Sequence, residues 1–257
     1  MSDAPLLRTV DGRGVAVLTF NRPEKGNSYS AAMLDTLHDE ITRLGADPAV
    51  RTIVLRGNGK HFNAGADVGA AAKEKPRASI PMVCLGLDTI PKPTIALVQG
   101  ACIGGAVAMI SCCDVVVATD NAFFSLPEVR LGFAPGPLIP FFLRAIDPRS
   151  LRRYLLSGER FAAEDALRIG LVHQLCAAES ADAALAAIID EMLHAGPNAL
   201  AHAKQLLRRL TQVPISKELL AELQGEFDQR LESAEATEGR AAFREKRKPS
   251  WFPPQGQ

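Results

Sequence analysis

Two segments of small residues are the part of this sequence best suited to chemistry. Gly57-Asn-Gly-Lys-His-Phe-Asn-Ala-Gly-Ala-Asp67 follows the β-branched run Thr52 to Arg56, and Gln99-Gly-Ala-Cys-Ile-Gly-Gly-Ala-Val-Ala108 follows Thr94 to Val98. Gly and Ala leave the backbone uncovered, so N–H groups can come close to a ligand. The second segment is read as running into a helix whose first turn holds Gly104 and Gly105. Unpaired N–H groups and the helix dipole favour negative charge there. Two such strand ends together can build a paired N–H cradle for an oxygen anion. Taken singly, either segment reads more readily as an ordinary tight turn.

Few titratable side chains accompany these loops. Glu128, in Pro127-Glu128, reads either as a proton-transfer group or as a surface acid paired with Arg130. His61 reads as a solvent-exposed or ligand-proximal side chain rather than a base. Asp67 closes its loop and is expected to fix the turn through its own backbone contacts. Cys112 and Cys113 read as small core residues, because nothing near them in sequence would activate a thiolate. The basic run Arg244-Glu-Lys-Arg-Lys248 has no interleaved aromatics, which argues against a nucleic-acid surface. A local phosphate site or a solvated helix end is more economical.

The elements that must hold these groups can be read from periodicity. Val15 to Phe20, Thr52 to Arg56, Thr94 to Val98 and Asp114 to Ala118 are short β-branched runs, and Leu171 to Leu175 is a further strand candidate. Ser30 caps an amphipathic helix with Met33, Leu34, Leu37, Ile41 and Leu44 at helical spacing. Strands alternating with helices predict an α/β fold with a mainly parallel sheet. Beyond about residue 136 the pattern turns helical, with helices over Ala181 to Leu193, Ala199 to Leu210 and Lys217 to Leu231. The expected division is a core over residues 1–195 and a helical oligomerisation region over 196–257. Ala70 to Arg77, small and charged, reads as mobile, and Val68 to Ile90 reads as a loop.

Composition bounds the class of partner. The 257 residues carry 29 Lys and Arg against 29 Asp and Glu. With no net charge there is no global field to attract nucleic acid or a membrane surface, so an anionic ligand must be bound locally. No apolar run approaches the roughly 18 to 20 residues of a membrane span. The N-terminus lacks the pattern of a secretory signal, and a cytoplasmic location is expected. No pair among the 5 cysteines has metal-site spacing, so no metal centre is expected.

Taken in order, Asn21-Arg-Pro-Glu-Lys25, Phe62-Asn-Ala-Gly-Ala-Asp67, Lys92-Pro-Thr-Ile-Ala96, Gln99-Gly100 with Gly104-Gly105, Cys113-Asp114, Pro127-Glu128 with Leu131-Gly132, and Phe243 to Lys248 resemble the crotonase (enoyl-CoA hydratase/isomerase) family. The resemblance runs from about Val15 to Trp251. It implies a spiral of ββα units with a helical C-terminal trimerisation region, assembled as a homotrimer or a dimer of trimers. It implies an acyl-CoA thioester as substrate, with coenzyme A as part of that substrate and no separate cofactor. The backbone N–H groups of Ala66 and Gly105 would form an oxyanion hole for the thioester oxygen. Lys25, Ala64, Gly65, Asp67 and Gly104 would line the CoA site, and Phe243 and Lys246 would reach it from a neighbouring subunit. Glu128 would be the acid or base.

One departure stands out. Hydratases of the family hold water between two glutamates, and aligning the Gly104-Gly105 pair puts Ala108 where the first would be. Ile110 to Asp114, Leu126 to Gly132 and Leu151 to Phe161 resemble a bacterial branch of methylglutaconyl-CoA-type hydratases, members of which can carry a small residue there. The resemblance therefore implies hydration of a 2-enoyl-CoA first. Single-glutamate isomerisation, decarboxylation, or CoA binding without chemistry are the alternatives.

Overall fold

The β-branched runs become strands of one sheet. In the computed structural model, which describes residues 4–67 and 75–254, the strands are β1 (Leu6–Val10), β2 (Val15–Phe20), β3 (Thr52–Gly57), β4 (Thr94–Val98), β5 (Ala101–Ile103), β6 (Val115–Thr119), β7 (Phe123–Ser125), β8 (Arg160–Ala162) and β9 (Gln174–Cys176). A six-stranded sheet has the order β1-β2-β3-β4-β6-β9, and a three-stranded sheet has the order β5-β7-β8. Within the larger sheet only β1 on β2 is antiparallel.

Register aligns the apolar residues across this sheet. Leu18 stands opposite Leu55, Leu55 opposite Ala96 and Ala96 opposite Val116, and all four are buried. The alternate residues Val54, Ile95, Leu97 and Val117 form a second core on the other face. Burial on both faces explains why these strands read as near-continuous apolar runs.

The helices are α1 (Ala31–Ala46), α2 (Ile80–Thr89), α3 (Gly105–Ser111), α4 (Ile139–Ala145), α5 (Pro148–Ser157), α6 (Ala163–Arg168), α7 (Ala181–His194), α8 (Pro197–Leu210), α9 (Lys217–Leu231) and α10 (Ala234–Glu245). Ser30 caps α1, its hydroxyl accepting from the Met33 N–H at 3.3 Å, and the five predicted apolar residues of this helix are buried. Leu185, Ile189 and Leu193 of α7 close the second face of the sheet. From α8, Lys204 Nζ reaches back to Asp114 Oδ2 at 2.7 Å, and Asp114 also accepts from the Thr94 amide at 2.7 Å and hydroxyl at 2.9 Å.

Two expectations need correction, and a third falls largely outside the described residues. Val68 to Ile90 is not a loop throughout, because residues 80–89 form α2. That segment is apolar on nearly all sides, so no polar face marks its helical period. The last strand is Gln174–Cys176 rather than Leu171 to Leu175, since Leu171 and Val172 are buried in the turn after α6. Most of the segment expected to be mobile lies outside the described residues. Its last residue, Arg77, pairs with Asp39 at 2.6 Å.

Candidate active site

The loop after β3 is held by backbone on both sides. Its Phe62 and Asn63 amides donate to the carbonyls of Gln99 and Ala101 at 2.7 and 3.0 Å, and the Ile103 amide donates back to Asn63 at 3.0 Å. On the other side Tyr29 donates to the Gly65 carbonyl at 2.9 Å and accepts from the Asp67 amide at 3.1 Å. Gly65 has φ +92, and a Cβ there would lie 3.2 Å from the Ile103 carbonyl oxygen. The fully buried Asn27 adds a brace, its side-chain amide donating to the carbonyls of Asn58 at 2.9 Å and His61 at 2.6 Å.

These contacts fix Ala66 with its amide unspent. Among the described residues, the N–H of Ala66 donates to no protein acceptor, and the same holds for Gly105, the first residue of α3. The Gly105 amide is an orphan donor of a helix start. Gly104 before it has φ 58 and ψ −126, and its amide is used, donating to the Ser125 carbonyl at 2.9 Å.

Glu128 sits on a 3₁₀ turn over Pro127–Leu131, directly beyond β7. It is 7% exposed, and its Oε2 is buried with no hydrogen-bond partner. Burial pushes its carboxyl above the usual range, a shift its own backbone N–H partly opposes. Its Oε1 lies 2.8 Å from where a Cβ of Gly104 would be, so the carboxylate touches the backbone that begins α3. The surface pair with Arg130 is not formed: Arg130 Nε donates to the Ser157 carbonyl at 2.8 Å. Ala108 is fully buried.

Other sequence expectations shift in role. Asp67 also meets side chains, with Arg22 Nη2 at 2.8 Å and Lys25 Nζ at 3.6 Å. Asn63 braces the same loop, its Oδ1 accepting from the Gly65 amide at 2.9 Å. His61 is half-buried, and its Nδ1 accepts from the Ala101 amide at 3.0 Å. Burial and then the nearby Lys60 lower its pKa, which keeps it a neutral acceptor bracing the second loop. Ala64 is half-buried beside Gly26, from which its amide takes a carbonyl at 2.9 Å. Phe243, near the end of α10, is 87% exposed, and Lys246 caps that helix in the left-handed conformation.

Sequence reasoning missed Tyr29. A Cβ on Gly105 would lie 2.7 Å from its Oη, and burial, then the charge of Glu128, holds the phenol well above its usual pKa. The only signal was an aromatic residue set among small polar ones just before the α1 cap.

A mainly parallel sheet that ends in two loops, with unspent amides at Ala66 and Gly105 and the buried carboxylate of Glu128, is an arrangement able to accept the oxygen of a polarised carbonyl. Residues 11–253 match the enoyl-CoA hydratase/isomerase family. The chain is 32% identical to the 2,3-dehydroadipyl-CoA hydratase of Escherichia coli, over 92% of this chain and 94% of that one. It is 32% identical to the mevalonyl-coenzyme A hydratase of Aspergillus fumigatus, over 93% and 92%. A crystal structure of an enoyl-CoA hydratase from Shewanella pealeana superposes with a TM-score of 0.89 at 34% identity, covering 96% of each chain. The protein therefore belongs to the enoyl-CoA hydratase/isomerase family, with the crotonase fold. That family acts on acyl-CoA thioesters.

Proposed function

We propose that this enzyme hydrates a 2-enoyl-CoA. The observation that carries the reading is Glu128: a buried carboxylate with one unpartnered oxygen, against the first turn of a helix whose leading amide is free. The Ala66 and Gly105 amides would hold the thioester oxygen. Glu128 would take a proton from water as its oxygen bonds to C3, while the C2–C3 π electrons move onto the thioester oxygen. The same proton would then pass from Glu128 to C2, so one carboxylate serves as base and acid. Desolvation suits both halves, because a raised pKa brings the group toward the working pH.

Lys25, Ala64, Gly65, Asp67 and Gly104 are proposed to line the CoA site. Phe243 and Lys246 are proposed to complete the site of a neighbouring copy in a trimer or paired trimers. The exposure of Phe243, together with Leu207 and Phe227 on the C-terminal helices and Ile215 between α8 and α9, supports such an assembly. The hydratase names of the relatives favour hydration, and the motif likeness to methylglutaconyl-type members suggests a branched or carboxylated acyl group.

One observation favours a second reading. Ala108 leaves the pocket apolar where a second carboxylate would stand, and allylic isomerisation needs only one base. Incubation with crotonyl-CoA, a 3-enoyl-CoA and 3-methylglutaconyl-CoA, with products followed by mass, separates the two. Gain of one water supports hydration; a double-bond shift without mass change on every substrate refutes it.

A further inference from the structure

The absent glutamate leaves a different polar group on the same face of α3. Ala108 lies one helical turn beyond Gly104 and Gly105, so the three share a side of the helix. The open side of Gly105 looks onto Tyr29, with Oη 2.7 Å and Cζ 3.4 Å from a built Cβ, while that of Gly104 looks onto Glu128 Oε1 at 2.8 Å. The phenol and the carboxylate therefore flank two consecutive glycines at the helix start. Tyr29 is also the bridge partner of Ala66, so its position is set by the same backbone that presents the free amide. Its ring packs against the main core, and among the described residues its hydroxyl has no protein hydrogen-bond partner.

We infer that Tyr29 is a positioning residue for the water that adds to the acyl chain, its Oη accepting one water O–H while the other O–H points to Glu128. This rests on the hydration reading above. The water oxygen bonds to C3, the proton shared with Glu128 ends on C2, and the proton held by Tyr29 stays on the new hydroxyl. Burial and the neighbouring carboxylate keep the phenol neutral. It can hold water but does not compete for the proton.

The test uses the full-length Tyr29→Phe enzyme, which keeps the ring and removes the hydroxyl. Steady-state hydration is measured on crotonyl-CoA and 3-methylglutaconyl-CoA, alongside calorimetric affinity for butyryl-CoA, which has no double bond to hydrate. The expected result is a fall in kcat of about 10- to 10²-fold, with KM and butyryl-CoA affinity within about twofold of wild type. Unchanged kcat overturns the inference and leaves the hydration reading intact. Parallel losses of kcat and affinity also overturn it, since they mark a structural role. If the wild-type enzyme hydrates neither substrate, both the hydration reading and this inference fall.

Discussion

Adding one methyl group at Gly105 is the sharpest probe of the site. A Cβ there meets Tyr29 Oη at 2.7 Å, about 0.7 Å inside the 3.4 Å at which ordinary contact begins, and Ile80 Cγ2 at 3.3 Å. Overpacking of this kind costs about 1–3 kcal/mol. Replacing a helical Gly by Ala returns up to about 1 kcal/mol, so the stability of Gly105→Ala alone is a difference of opposing effects. The decisive quantity is the coupling with Tyr29→Phe. Removing the hydroxyl leaves Cζ as the nearest ring atom at 3.4 Å, an ordinary contact. The double variant should therefore recover about 1–2 kcal/mol relative to additivity, or roughly 2–6 °C in Tm for a chain of this size. Turnover should fall about 10²- to 10³-fold in Gly105→Ala and stay low in the double variant, because the shifted helix start no longer aims its amide at the thioester. Thermal melts and steady-state kinetics of the four proteins, with Gly136→Ala as a control whose Cβ meets nothing within 4 Å, complete the experiment. Penalties that simply add, or a Gly105→Ala enzyme with wild-type kcat/KM, would refute this placement of the hole.

Glu128→Gln should remove about 10²-fold or more of turnover while butyryl-CoA affinity is kept, since the amide preserves size but cannot carry the proton; retained turnover would sink the mechanism. The same variant tests linkage. The folded pKa of Glu128 lies above its unfolded value, so its contribution to stability is greatest below the unfolded pKa and is lost as pH rises through the folded one. Glu128→Gln should therefore be more stable than wild type at neutral pH, and the gain should vanish in acid, as urea titrations at several pH values would reveal. For activity the sign is reversed, because the base must be ionised: kcat/KM should decline on the acid side at a pH above the ordinary carboxylate range. Lys204→Met should cost about 1–2 kcal/mol in urea unfolding, because it removes the ammonium that Asp114 meets at 2.7 Å and leaves that carboxylate with the Thr94 donors alone among those described. Truncation after Glu238 should weaken CoA binding, and light scattering that finds the full-length protein monomeric would count against a shared site.

The main sheet was legible because burial on both faces writes uninterrupted β-branched runs such as Thr52 to Arg56 and Thr94 to Val98. The helix after Ser30 was legible through its cap and its five apolar residues at helical spacing. The loops beside Ala66 and Gly105 could be found from their glycines, and Glu128 from its motif. What escaped had no local pattern. β5, β7 and β8 are three residues each, too short to alternate, and α2 has no polar face. The part of Tyr29 was invisible for another reason. Its contact with Gly105 joins residues 76 positions apart, a proximity that only the fold creates. The pairs of Asp67 with Arg22 and Lys25 were not legible either, because sequence does not say which carboxylate an arginine will claim.

The contact between Gly104 and Glu128 also limits how this enzyme can be diversified. Gly104 has a positive φ and no room for a side chain, so a mutational library gains nothing by varying it, and Glu128 is confined by the same backbone. Positions 80 and 108 lie beside that helix start without carrying the contact: Ile80 Cγ2 is 3.3 Å from a Cβ built on Gly105, and Ala108 follows one helical turn on. A search for altered acyl preference should spend its variation on these two, leaving Tyr29 and the Gly104–Glu128 contact untouched.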